Sequence, residues 1–131
     1  MAYYVSSALD ASLVEGPLMI RAGVAPANVD RAIASIDEEL RKLLADGVSA
    51  QELQESRQYM IGSMPRALET NAGIANFLQI AEFFQLGLDY DVRLRDYLSA
   101  VTRDEVQAAA QRLLDPDRAA IVICGPYQEP A

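Results

Sequence analysis

The sequence contains no histidine, and this absence removes much of the familiar catalytic chemistry from the chain. Without an imidazole there can be no Ser-His-Asp or Cys-His pair and no histidine general base. The usual His-containing zinc and non-haem iron sites are excluded as well. Any chemistry must therefore use carboxylates or tyrosines, or depend on residues outside this chain.

Cysteine and basic residues are also scarce. The single cysteine, Cys124, cannot form an internal disulfide, so we expect a fold that does not need oxidising conditions and a cytoplasmic location. Lys42 is the only lysine, and 19 acidic residues against 11 basic ones give a net charge of −8. Nucleic acid and an anionic membrane surface are therefore unfavourable partners, because both require a basic face. No apolar run approaches the roughly 20 residues of a membrane span, so we expect a soluble protein.

Glycine-rich phosphate loops are missing too, since the glycines are scattered and form neither G-x-G-x-x-G nor a Walker sequence. Carboxylates for a glycosidase-type acid and base are present in predicted loops, but nothing in the sequence brings them together. These loop acids are Asp10, Glu15, Asp89 and Asp91. Solvated surface acids are the simpler interpretation.

The residues that are present form a series of strand and helix patterns. Aromatic and β-branched residues at the N-terminus predict one strand, and the alternation from Leu18 to Gly23 predicts a second, which together make a hairpin. Capping residues and helical spacing then predict about five helices. Their predicted starts are Pro26, Ser49, Thr70 or Asn71, Asp89 and Thr102. The third helix is so apolar that we expect much of its circumference to be buried.

A short apolar run, Ala119–Cys124, predicts a final strand that is covered on both faces. The order of strand, strand, helices and strand indicates an α+β fold, with an antiparallel or mixed sheet packed on the helices. We predict one domain over residues 1–126 that lacks its N-terminal part, followed by a loose tail over residues 127–131. Such a domain would expose a strand edge and an apolar sheet face, so we expect this chain to self-associate.

Several segments, taken in order, resemble one known family. They are Ala2-Tyr-Tyr-Val-Ser-Ser7, Met19-Ile-Arg-Ala-Gly-Val-Ala-Pro26, Ile36-Asp-Glu-Glu-Leu40, Asp46-Gly-Val-Ser-Ala-Gln-Glu-Leu53, Ala67-Leu-Glu-Thr-Asn71, Ala100-Val-Thr-Arg-Asp-Glu-Val106 and Ala120-Ile-Val-Ile-Cys-Gly-Pro126. The set covers nearly the whole chain and resembles the pitrilysin and insulin-degrading-enzyme family, which includes the mitochondrial processing peptidases. The similarity is to the C-terminal, non-zinc domain.

Members of that family are zinc metallopeptidases built from repeated α+β domains. One half of the molecule carries an inverted H-x-x-E-H zinc motif, and the other half closes over the peptide. The resemblance implies that this chain, which has no histidine, is a non-catalytic substrate-chamber portion, whereas zinc and peptide-bond hydrolysis belong to the complete protein. Its partners would be the remainder of its own polypeptide or a zinc-bearing family member, together with a peptide substrate. The alternative is an inactive structural subunit that scaffolds a partner.

The resemblance also singles out Tyr3. The triplet Met1-Ala2-Tyr3 aligns with a family triplet written Leu-Gly-Tyr or Leu-Ala-Tyr. It implies that the Tyr3 phenol hydrogen-bonds the developing oxyanion while zinc, held elsewhere, polarises the same carbonyl. The arginine that acts with this tyrosine would precede Met1, and some family domains lack the pair. Packing within the sheet therefore remains the alternative role for Tyr3.

Overall fold

A computed structural model of the protein describes residues 2–127. These residues form two units, which we call the hairpin unit (residues 2–45 and 113–127) and the helical unit (residues 46–112). The predicted tail over residues 127–131 lies, apart from Tyr127, outside the described residues. The assignment of residues 1–126 to one domain stays a prediction.

The hairpin unit begins with the two predicted strands. β1 (Ala2–Leu9) pairs antiparallel with β2 (Leu18–Val24), and Leu9 stands opposite Leu18 at the loop end. The Asp10 backbone N–H donates to the Pro17 carbonyl at 3.0 Å and closes the connecting loop. All of β1 is exposed, whereas most of β2 is partly covered. The hairpin is therefore covered unevenly, with β1 as its open strand.

Helix α1 (Val29–Asp46) follows a single 3₁₀ turn over Pro26–Asn28. Pro26 stands at the first position of that turn, where its missing N–H has no partner to lose, as the sequence predicts. Gly47 ends the helix with φ of +69°, a left-handed conformation that glycine adopts without a steric penalty. The predicted end of this helix is confirmed, whereas its α-helical part begins at Val29, three residues after the predicted start.

The helical unit contains the other predicted helices. They are α2 (Ala50–Ala67), α3 (Asn71–Phe83), α4 (Tyr90–Ala100) and α5 (Arg103–Leu113), whose last residue already belongs to the hairpin unit. Ser49 and Glu52 form a complete capping box, with reciprocal bonds of 3.1 and 2.8 Å. The Thr70 hydroxyl accepts from the Gly73 N–H at 3.0 Å and caps α3. Ser49 and Thr70 thus cap their helices, whereas Asp89, at the predicted start of α4, makes no side-chain capping hydrogen bond.

The α+β fold class is confirmed by the antiparallel hairpin and five helices, but one strand is missing. Residues 119–124 form no strand in the part of the chain that the structure describes. The sheet there has only two strands, in the order β1–β2. The apolar run has strand-forming residues, yet a strand requires a neighbour for its backbone groups, and here none is paired with it.

The expected burial of α3 is also wrong. Ala81 is its one buried residue among those described, while Ile74, Leu78 and Phe83 are exposed. A helix that is apolar on most sides needs neighbours on most sides, and α3 has few of them. Although α3 is apolar, neither it nor any other helix within residues 2–127 has the length and hydropathy needed to cross a membrane.

Candidate functional site

The residue that the sequence singles out, Tyr3, lies at an irregularity of β1. Ala2 pairs with Val24 and Tyr4 pairs with Gly23, so two steps on β1 correspond to one step on β2. Tyr3 is therefore the extra residue of a β-bulge, a feature that redirects a side chain and interrupts regular pairing. Its side chain is 81% exposed. The phenol is thus available to a group outside the hairpin.

The neighbouring tyrosine has a different environment. A Cβ atom added to Gly23 would lie 2.3 Å from Cε1 of Tyr4, so the Tyr4 ring occupies the space that a side chain on β2 would fill. An aromatic ring opposite a strand glycine covers that backbone and helps fix the register. The adjacent tyrosines are therefore distinguishable by contact: Tyr4 packs against β2, and Tyr3 extends from the bulge.

The described residues do not fit a zinc site. Within residues 2–127 no group of three or more His, Cys, Asp or Glu residues is arranged to hold a metal ion. The sequence supplies no histidine, and Cys124 is exposed. Residues 2–127 therefore offer no recognisable set of zinc ligands.

Of the four carboxylates that the sequence places in loops, Asp91 lies instead in the first turn of α4. Asp89 pairs with Arg93 through Oδ2 and Nε at 3.0 Å, which gives it a local structural partner four residues away. Asp10 contributes its backbone N–H to the hairpin loop. No observation on these residues favours glycosidase-type chemistry.

A polar contact that the sequence does not predict lies on α1. Arg41 donates to Asp37 at 2.8 Å and to Asp117 at 2.6 Å. These hydrogen bonds and charges raise the pKa of the Arg41 guanidinium above its ordinary value. The Asp37 contact follows from helical spacing, whereas Asp117 is 76 residues away in the chain. Only the tertiary structure brings that second carboxylate to α1.

A second long-range contact lies nearer the start of the same helix. The Tyr127 hydroxyl donates to Oδ1 of Asp30 at 2.6 Å. With the Arg41–Asp117 pair, it attaches the C-terminal segment to α1 at two points. The residues between these attachments are the apolar run 119–124, which remains exposed.

The helical unit contains an apolar groove of about 240 Å³. Leu53 and Met60 of α2, Leu98 of α4 and Val106 of α5 contribute to its lining. The Arg57 guanidinium lies beside it and donates to the Val101 carbonyl. The Arg103 Nε–H similarly donates to the Val48 carbonyl at 2.7 Å. The groove is half open and carries no cluster of reactive groups, so its contacts are those of helix packing.

The chain is thus an α+β protein that presents a tyrosine at a strand bulge. It has no metal-binding cluster among its described residues. A protein-family model described as the peptidase M16 inactive domain matches residues 1–60. This segment contains the whole hairpin, α1 and part of α2. Over these residues the chain is similar to the C-terminal, non-zinc type of domain of the M16, or pitrilysin-like, peptidase family. No curated protein matches the chain.

Proposed function

We propose that this chain is a non-catalytic substrate-chamber portion of a zinc-dependent metallopeptidase whose complete form hydrolyses peptide bonds. The observation that carries the proposal is the match of residues 1–60 to the inactive domain of a peptidase family. A non-catalytic domain of such a family contributes surface and hydrogen bonds rather than the reacting metal. The chemistry of this chain, with no histidine, suits that role.

Tyr3 is the group of this chain that would contact the reacting peptide. Its phenol is exposed and lies at a bulge, where the side chain is not committed to the sheet. A tyrosine hydroxyl can donate a hydrogen bond to a carbonyl oxygen, and this bond strengthens as negative charge develops on that oxygen. Tyr3 would in this way favour the transition state over the bound substrate.

The test combines this chain with a zinc-bearing M16 family partner and follows cleavage of a fluorogenic peptide. We expect the mixture to cleave the peptide and Tyr3→Phe to lower kcat by roughly ten- to a thousandfold, the scale of losing one transition-state donor. Tyr4→Phe is the matched control, because it removes the same hydroxyl from a ring that packs against Gly23. Equal cleavage rates for mixtures that contain the wild type, Tyr3→Phe or Tyr4→Phe would rule out the role of Tyr3. Cleavage by the purified chain alone would contradict the proposal as a whole.

A second candidate function is an inactive structural subunit that scaffolds a family partner without touching substrate. The observation in its favour is the large number of exposed apolar side chains, among them Val5, Leu9 and Phe83. Such a subunit would raise the thermal stability or yield of its partner, and Tyr3→Phe would leave both kcat and KM unchanged. The Tyr3→Phe and Tyr4→Phe comparison therefore separates the two functions.

A further inference from the structure

The apolar run 119–124 has strand-forming residues but no strand partner among the described residues. In the part of the chain that the structure describes, no backbone hydrogen bond joins residues 120–124 to another segment. Both ends are nevertheless attached to α1, through Asp117 and through Tyr127. Ile121, Val122 and Ile123 are respectively 62, 91 and 41% exposed. An apolar segment is thus attached at both ends, and its backbone groups have no backbone partner among the described residues.

The hairpin provides an edge of matching length. The bulge at Tyr3 interrupts the ladder, so the regular part of β1 runs from Tyr4 to Leu9, six residues, as does the run 119–124. One edge of β1 is bonded to β2, and the other has no neighbour in the described sheet. Natural edge strands are commonly protected by charge or proline. Apart from the bulge at one end, β1 carries neither protection.

Both segments lack charged side chains, a property that they share with residues 71–81, whose backbone is helical in α3. Two copies of a chain with a net charge of −8 repel each other, so a favourable contact must use uncharged surface. Residues 2–9 and 119–127 contain no charged side chain, and both are exposed over nearly their whole length. They are also rich in β-branched and aromatic residues, which suit strand pairing.

We propose that two copies of this chain exchange strands, so that residues 119–124 of each copy pair with the free edge of Tyr4–Leu9 in the other. Each copy supplies the run 119–124 and receives the run of the other copy on the free edge of its β1. The resulting contact is the same in both directions and closes with twofold symmetry. The proposal does not depend on the peptidase role, and its test requires no peptide cleavage.

The first test measures association of the full 131-residue chain by sedimentation and light scattering, using matched Val→Lys variants. We expect a concentration-dependent dimer in the micromolar range. Val5→Lys and Val122→Lys, which place a charge in either pairing segment, should raise the dimer Kd at least tenfold. Val14→Lys and Val92→Lys, at valines 76 and 70% exposed outside those segments, should change it less than twofold. All four variants reduce the net negative charge equally, so repulsion cannot explain a difference.

Mixing the two disruptive variants tests the exchange itself. In a heterodimer of Val5→Lys with Val122→Lys, both lysines fall in one strand pair, and the other pair is wild type. The mixture should therefore form a heterodimer that is more stable than either variant homodimer, detectable by attaching a mass tag to one variant. Pairing of β1 with β1 would instead leave Val122→Lys fully dimeric.

Three results would overturn the proposal. One is a monomer at all concentrations up to about 100 μM, which would mean that the segments pair within one chain or remain unpaired. Another is a dimer that Val122→Lys does not weaken. The third is equal weakening by all four lysine variants, which would indicate nonspecific apolar association. Far-UV circular dichroism checks that each variant keeps its fold.

Discussion

The helical unit and the hairpin unit differ in how their backbone N–H and C=O groups are paired. Each helix of the helical unit pairs its backbone internally, and side chains such as Ser49, Thr70 and Thr102 serve the first turns. The hairpin unit has β1 bonded on one edge only and an apolar run that bonds to no strand. A helix pairs its backbone groups within one segment of the chain, whereas a strand needs a second segment to pair with.

Each unit contains a glycine with another atom very close to it, and the two glycines differ in whether that atom belongs to backbone or to a side chain. Gly73 of α3 stands where an added Cβ would lie 1.8 Å from the Ala67 carbonyl oxygen. In the hairpin unit, the corresponding atom at Gly23 would meet the Tyr4 ring at 2.3 Å. The first obstacle is backbone, and the second is the far end of a side chain that is 60% exposed. Gly73 should therefore be less tolerant of added volume than Gly23, although the hairpin unit also has a backbone obstacle, at Gly16, where an added Cβ would lie 1.6 Å from the Asp10 carbonyl oxygen.

The largest effect that we expect comes from Gly73→Ala. Because Ala67 is the last residue of α2, the clash can be relieved only by moving a helix end. We expect a loss of about 3 kcal/mol in the free energy of unfolding. Urea denaturation followed by far-UV circular dichroism measures it.

Two further glycines serve as controls for that substitution. Gly23→Ala should cost about 1 kcal/mol or less, since the Tyr4 ring can turn towards solvent. Gly62→Ala, in α2 with nothing within 4 Å of the new atom, should instead stabilise by about 1 kcal/mol through helix propensity. If Gly73→Ala and Gly23→Ala were equally costly, the contrast between backbone and side-chain obstacles would be wrong.

A smaller effect should follow from removing a helix cap. Ser49→Ala deprives the Glu52 N–H of its acceptor and breaks the reciprocal box at the start of α2. We expect a loss of about 1 kcal/mol, measured by thermal or urea unfolding. Ser56→Ala, in the middle of the same helix, is the control and should be neutral or slightly stabilising. A loss of the same size at Ser56 would contradict the importance of the cap.

The smallest effect concerns pH and the start of α5. The Glu105 carboxylate accepts from the backbone N–H and the hydroxyl of Thr102 at 2.7 and 2.8 Å, and these bonds lower its pKa below the ordinary value of 4.5. A carboxylate with a lowered folded-state pKa adds stability above its unfolded pKa and loses it as the pH falls through the folded value. Glu105→Gln should therefore be less stable than the wild type at pH 7.

The difference between the Glu105→Gln variant and the wild type should shrink as the pH is lowered towards about 3, because the wild-type carboxyl is then increasingly protonated. Thermal unfolding of both proteins across this range gives the comparison. A difference that stays constant with pH would show that Glu105 acts through its shape rather than its charge.

The helix boundaries were predictable because their signals lie within a few residues of each other. The Ser49–Glu52 box and the left-handed Gly47 each act on their own turn of backbone. The Tyr3 bulge was not predictable, because it depends on the register between β1 and β2. The attachment of Asp117 to Arg41 spans 76 residues and leaves no local pattern.

The family resemblance, read from short ordered segments, is confirmed over residues 1–60, while the role of Tyr3 stays a prediction. Its exposure and its position at a bulge are compatible with substrate contact, and Tyr4 is placed to serve as its control. The sequence could name the tyrosine only through the resemblance, because a pair of adjacent strand tyrosines is common in packing.

The absence of histidine, the acidic charge, the caps and the helix ends are properties of the sequence by itself, because each depends on composition or on neighbouring residues. The tertiary structure alone decided that, among the described residues, the run 119–124 has no strand partner and β1 has one edge without a neighbour. Strand pairing and burial depend on which distant segments meet, so local propensity could suggest a third strand but could not supply its neighbour.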